Sequence, residues 1–162
     1  MAPTATWQEI VASSLDWDQA HITLDGALKG LTAEDRGRRA AGYPHSVWQL
    51  LEHIRIAQHD LLDFCRNPSY VHDLEWPGDY WPSNPAPAGE DAWKESLEQL
   101  RRDRSEMAAF VTGGTVDLAA NIPHGTGQTY LRTVLVAVDH AAYHLGQIVD
   151  VRRLIGAWET PS

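Results

Sequence analysis

The strongest constraint on the fold of this chain is helical periodicity, because apolar residues recur at intervals of three and four positions in four long segments. Such a stripe lets a helix bury one face, and no segment alternates apolar and polar residues long enough to predict a strand. Four amphipathic helices without a sheet predict an all-α fold, specifically a four-helix bundle, in one domain spanning residues 1–162. The predicted helices cover about residues 7–30, 46–65, 90–112 and 128–158.

A long proline-rich segment, residues 66–89, separates the second predicted helix from the third. It contains the sequence WPGDYWPSNPAPAG, whose prolines exclude a helix and whose three aromatic residues are close together. A connection of this length in a compact domain is often a lid or a binding loop, or it covers part of the core. Trp76, Tyr80 and Trp81 are therefore candidates for the wall of a pocket, and equally for the cover of an exposed seam or a dimer contact.

The charge balance argues against several kinds of partner. A formal charge of −9 and the lack of any basic run make a nucleic-acid partner unexpected.

The longest aliphatic run, VLVAV at 134–138, is too short to cross a bilayer, and the N-terminus lacks a signal-peptide pattern. The single cysteine, Cys65, lies on an apolar stripe, which predicts a buried thiol in a reducing compartment. We expect a cytoplasmic protein that does not contact a membrane.

Three histidines have the spacing of a metal site. His140 and His144 are four residues apart in a predicted helix, so both imidazoles can point into the same space, although spacing alone also fits an ordinary helix face. His53 lies on or beside the apolar stripe of the second predicted helix, where an inward polar group needs a partner. If the second and fourth helices are neighbours, the three imidazoles converge and leave one coordination position open, as in several catalytic zinc sites. His21 is a weaker fourth candidate.

Other bundle-associated metal motifs are missing from the sequence. None of the eight histidines has a glutamate three positions before it, which excludes the di-iron carboxylate pattern. Ala141 stands where a zincin requires glutamate, and no CxxCH motif is present for haem attachment. The remaining prediction is a mononuclear, all-histidine site.

Several further residues are candidates for supporting roles near this site. Asp60, two turns after His53, is either an acceptor that orients an imidazole or a solvated charge. Gln147 is expected to bond a metal-bound water or to satisfy the bundle interior, Trp81 to line the pocket, and Tyr143 to pack in the protein.

Three stretches of the chain resemble a known family. They are HSVWQLLEHIRIAQHDLL, the loop with WPGDYWP, and DHAAYHLGQIVDVRRLIGAW, and they are similar to the DinB-like (DinB/YfiT-like) superfamily of metal-dependent proteins. The most specific part is the pattern HxxxHxGQ at His140, His144, Gly146 and Gln147, together with the histidine late in WQLLEH. The resemblance extends from the first predicted helix to Trp158.

The resemblance implies a four-helix bundle with a three-histidine site, here His53, His140 and His144, usually filled by zinc or nickel. It also implies a homodimer, since dimers are common in the family. Characterised relatives include thiol S-transferases and isomerases that use bacillithiol, mycothiol or glutathione, while many members have no known reaction. A small-molecule substrate, with a low-molecular-weight thiol among the candidates, is the expected partner.

Three functions remain open from the sequence. The first is a metal-dependent enzyme of the thiol S-transferase or hydrolase type, and hydrolysis is weakened because no general base stands beside the histidines. The second is a non-catalytic metal-binding or stress-related protein, and the third is a dimeric bundle with a structural metal. Because histidines titrate near ~6.5 when unperturbed, metal affinity is expected to fall steeply on mild acidification.

Overall fold

The computed structural model describes residues 4–158, and the regular secondary structure within them is helical, as predicted. Short 3-10 helices cover Ser14–Asp16, Asp35–Gly37 and Gly78–Tyr80, and the only β pairing in the described residues is an isolated bridge between Asn121 and Thr129. The all-α fold class is therefore confirmed. The five α-helices are α1 (Trp7–Ser13), α2 (Leu24–Leu28), α3 (Val47–Arg66), α4 (Glu90–Thr112) and α5 (Tyr130–Leu154).

Side-chain caps fix where the helices begin. Before α3, the Ser46 hydroxyl accepts from the backbone N–H of Gln49, whose own side chain accepts from the backbone N–H of Ser46, so the predicted capping box is present. Helix α4 has the predicted bounds and ends before Gly113. Helix α5 is shorter than the predicted 128–158, because Thr129 caps its first turn and the helix ends at Leu154.

The prediction of one first helix over residues 7–30 is wrong. The chain leaves the α-helical conformation after Ser13, whose hydroxyl donates to the carbonyl of Ile10 and accepts from the indole N–H of Trp17. A new helix, α2, begins after Thr23, whose side chain caps it. Side chains that bond locally to the backbone compete with a continuing helix, and α1 buries none of its residues to offset that competition.

Helix α3 is central to the fold and packs against both α4 and α5, while α1 packs on α4 and α2 on α5. Its apolar stripe is the reason, because its side chains at helical spacing are almost fully enclosed. Burying a large aliphatic side chain of this kind stabilises a fold by about 1.5–3 kcal/mol. The most enclosed apolar residues of α3 are Val47, Leu50, Leu51, Ile54 and Leu62.

The connection between α3 and α4, residues 67–89, runs back along α3. The Gln49 side-chain amide donates to the carbonyl of Pro82 at 2.9 Å, and the Ser46 hydroxyl donates to that of Pro85. These bonds hold the aromatic part of the connection beside the middle of α3, where His53 lies.

Candidate metal centre

One ring nitrogen of His53 is hydrogen-bonded to the backbone, and the other is available as a metal ligand. Its side chain lies in the middle of α3 and is 2% exposed. Its Nδ1 lies 2.9 Å from the carbonyl oxygen of Tyr80, which can only accept, so Nδ1 carries the proton. The Nε2 atom of neutral His53 is consequently a lone-pair donor that faces α5.

His140 and His144 present their rings from successive turns of α5, with centroids 4.5 Å apart. The Nδ1 of His144 lies 2.7 Å from Oε1 of Gln147, one turn further along the helix. As the amide oxygen accepts this proton, the Nε2 of His144 is left free as a lone-pair donor.

The three imidazoles converge across the contact between α3 and α5. The Nε2 atoms of His53 and His140 are 2.9 Å apart, and one ring nitrogen from each of the three residues lies within 4.8 Å of the others. Tetrahedral zinc with bonds of about 2.0–2.1 Å would hold its ligand atoms about 3.3 Å apart, so small side-chain movements complete the site. Within residues 4–158 this is the one group of three or more His, Cys, Asp or Glu side chains placed to hold a metal ion.

Electrostatics keep these rings in the neutral form that binds metal. Burial lowers the pKa of His53 to about 4, opposed by its bond to Tyr80 and assisted by His144 and His45. Burial, with His144 and His53 nearby, also lowers the pKa of His140 to about 4. Burial lowers the pKa of His144 too, against the bond to Gln147. The pKa values of His53 and His140 in the folded, metal-free chain thus lie below the unperturbed value of ~6.5.

The Trp81 ring contacts two of the three clustered histidines. Its ring stacks on His53 with centroids 3.8 Å apart and planes 7° from parallel, and on its other side it stacks on His45 at 3.8 Å. It also meets His144 edge-on at 5.7 Å. A rigid indole against His53 fixes the plane of that imidazole.

The DinB superfamily profile matches residues 16–148, a range that covers most of the chain and includes all three histidines. The chain belongs to the DinB superfamily. No curated protein and no solved structure matched it. Membership in the DinB superfamily and the three-histidine cluster together indicate a metal ion, without specifying which.

Other residues of this DinB superfamily chain lie differently from their predicted positions. His21 is outside the cluster, and its Nδ1 contacts the carbonyl of the adjacent Ile22 at 2.9 Å. Tyr143 was expected to pack in the protein but is 65% exposed, with its ring beside His144. Gln147 bonds His144 directly, which neither of its two predicted roles included.

Asp60 was predicted either to orient an imidazole or to be a solvated charge, and within residues 4–158 its carboxylate is hydrogen-bonded to tyrosines and not to an imidazole. Its two carboxylate oxygens accept from the hydroxyls of Tyr80 at 2.6 Å and Tyr70 at 2.7 Å. Tyr80 in turn offers its backbone carbonyl to His53. Asp60 is thus linked to the histidine cluster through Tyr80, for which the sequence predicted a pocket wall, a seam cover or a dimer contact.

The single cysteine thiol of the chain, Cys65, is unreactive. Cys65 is buried, as predicted, and burial raises its pKa to about 12, so the thiolate form is scarce at neutral pH. None of the helices within residues 4–158 combines the length and apolar character that spanning a membrane requires.

Proposed function

We propose that this DinB superfamily protein binds one divalent metal ion through His53, His140 and His144 and is a metal-dependent enzyme of the thiol-transfer type. The observation that carries the proposal is the convergence of three imidazoles, two of which have their Nδ1 atoms bonded elsewhere. Three neutral nitrogen donors suit zinc and nickel, the two metals we propose. A bound divalent ion supplies Lewis acidity that lowers the pKa of a water or thiol.

The chain's own residues supply positioning. Tyr80 and Gln147 orient two ligand rings, and Trp81 excludes water from one face of His53. With three protein ligands and no fourth side chain in the group, a coordination position is left for a substrate, which argues against a purely structural metal.

The nearby carboxylates support thiol transfer over hydrolysis. Glu52 precedes His53, but both its oxygens accept from the guanidinium of Arg55. Asp60 is occupied by its two tyrosines. A metal-bound water would still share its proton near neutral pH and commonly uses a side-chain base during hydrolysis, whereas a metal-bound thiol would lose its proton outright and be a nucleophile without such a base.

The proposal is tested by measuring the metal content of the purified protein and then assaying metal-loaded protein with a panel of low-molecular-weight thiols and electrophilic acceptors. We expect about one metal per chain and thiol consumption that stops on chelation. Stoichiometric metal without turnover of any thiol would instead indicate the non-catalytic metal-binding alternative. Protein that cannot be loaded with metal would refute both.

Asp60→Asn should weaken metal binding by about tenfold, the lower end of the effect seen for residues that orient metal ligands. The reason is that Tyr80 loses its charged hydrogen-bond acceptor while its carbonyl positions His53. Tyr80→Phe should have a similar effect, measured by competition with a chelator. Tyr70→Phe is the matched control, because it removes the other hydroxyl from Asp60 and leaves Tyr80 in place. Equal losses in both Phe variants would contradict this role.

We also propose a homodimer, in keeping with the family. Exposed apolar side chains on α5, Leu135 at 47% and Tyr143 at 65%, support it, because such surface is costly to leave in water. Light scattering at high micromolar concentration should give a mass near 36 kDa, about twice the 18.0 kDa of the chain. Leu135→Glu should shift that mass toward the monomer. A wild-type monomer at that concentration would overturn the proposal.

A further inference from the structure

A cavity lies along the same two helices as the histidine cluster. This α3–α5 groove has a volume of about 460 Å³, and its polar lining includes Asp60, Tyr70, His72, His124 and Arg132. Asp60 follows His53 by seven residues on α3, and Thr133 of the lining precedes His140 by seven residues on α5. Seven residues of helix span about 10 Å, so the groove and the imidazoles are about that far apart along the two helices.

Arg132 is unlike the other arginines of the chain. All eleven arginines lie within the described residues, and ten of them contact a carboxylate, a side-chain amide or a carbonyl. Within residues 4–158 the guanidinium of Arg132 has no such partner. In a chain of net charge −9, an unpaired arginine at a cavity is a ready oxyanion site, because its planar fork matches a carboxylate or phosphate.

The other polar groups of the groove are compatible with an anion. The one carboxylate, Asp60, has a tyrosine hydroxyl on each oxygen, so its charge is partly compensated. Because Tyr70 donates to Asp60, the contact of its hydroxyl with Nδ1 of His72 at 2.9 Å makes that nitrogen the donor. His124 bonds the Phe64 carbonyl through Nε2. Arg132 is the only arginine or lysine in the lining.

We propose that the α3–α5 groove binds an oxyanion of the substrate, either a carboxylate or a phosphate, and that Arg132 recognises it. In the substrate, this oxyanion lies about 10 Å from the group that reaches the histidine cluster. The part of this inference that concerns the group at the histidine cluster rests on the proposed function. The groove itself can be tested without any metal.

The first arm of the test uses metal-free protein and follows by NMR the Nε–Hε resonance of Arg132 and, in every variant, the backbone amides of the residues that line the groove, during titration with octanoate, octyl phosphate and octanol. We expect saturable shifts with one or both anions and none with octanol, and the anion that binds more tightly identifies the oxyanion. Arg132→Gln should weaken anion binding at least about fivefold, since a charged hydrogen bond is lost. Arg153→Gln is the control, because Arg153 lies near the other end of α5. Shifts that do not saturate, or that are equal with octanol, would overturn the proposal.

The second arm uses cobalt-loaded protein, whose visible absorption reports a bound thiolate. Binding of 8-mercaptooctanoate should be at least about fivefold tighter than that of 8-mercaptooctanol in the wild type, and equal in Arg132→Gln. 3-Mercaptopropionate, which is too short to span the distance, should be insensitive to that substitution. Failure to load cobalt would refute the proposed metal site and leave the first arm to decide on the groove. Cobalt and thiolate bands without any preference for the carboxylate would refute the inference alone.

Discussion

The His144→Ala protein is expected to bind metal at least about a hundredfold more weakly than the wild type. A structural zinc site with four protein ligands is worth about 10–16 kcal/mol, so each ligand contributes about 3 kcal/mol, and 1.4 kcal/mol is a tenfold change in affinity. The substitution also leaves Gln147 without the proton it accepts. Metal content after dialysis against a weak chelator, measured by atomic emission, gives the result directly.

His72→Ala is the matched control for that experiment. His72 is an exposed histidine whose Nδ1 contacts Tyr70, and it lies outside the group of three. It should retain the wild-type stoichiometry. Full metal content in His144→Ala would refute the assignment of the site, and equal losses in both variants would indicate a general loss of folding.

The metal-free protein is expected to lose stability steeply between pH 6.5 and pH 4. The folded chain holds the pKa of His53 and His140 near 4, whereas an unfolded histidine titrates near ~6.5. Between pH 4 and pH 6.5 these two histidines are protonated in the unfolded chain but not in the folded chain, so acidification favours unfolding. The stabilisation is therefore present in full above about pH 6.5 and is lost progressively as the pH falls to about 4.

The expected slope is at most about 1.4 kcal/mol of unfolding free energy per pH unit for each histidine that stays neutral in the fold. Urea unfolding of chelator-treated protein at several pH values measures it. His140→Gln should reduce the slope by about one proton, since this half-buried position keeps a polar side chain. His21→Gln, exposed and outside the cluster, should run parallel to the wild type. A wild-type slope in His140→Gln would contradict the assignment of this protonation effect to the cluster.

The cluster was predictable because it depends on short-range periodicity and on one helix contact. His140 and His144 share a face by spacing alone, and the apolar stripe of α3 turns His53 toward the interior. The bounds of α4 and the capping box at Ser46 likewise depend on a few neighbouring residues.

Features that depend on contacts distant in sequence were not predictable. The carbonyl of Tyr80 has no side-chain signal, and it meets His53 only because the connection runs back along α3. Asp60 has the spacing of a ligand-orienting carboxylate, yet the tyrosine hydroxyls reach it instead. The prediction of one first helix was wrong for the opposite reason. Local hydrogen bonds from hydroxyl groups interrupt the helix, and the apolar residues of α1 are not buried enough to offset them.

Tyr80 ties the connection to α3 at two points, since its hydroxyl donates to Asp60 and its carbonyl accepts from His53, and the next residue in the chain is Trp81. Displacing this stretch of chain would therefore also release the proton-bearing nitrogen of His53 and allow that ring to rotate. By thermodynamic reciprocity, whatever fixes the ring must restrain the connection to the same extent. Resistance of residues 67–89 to a protease is thus a gauge of how firmly His53 is held, and it can be read without observing the histidine at all.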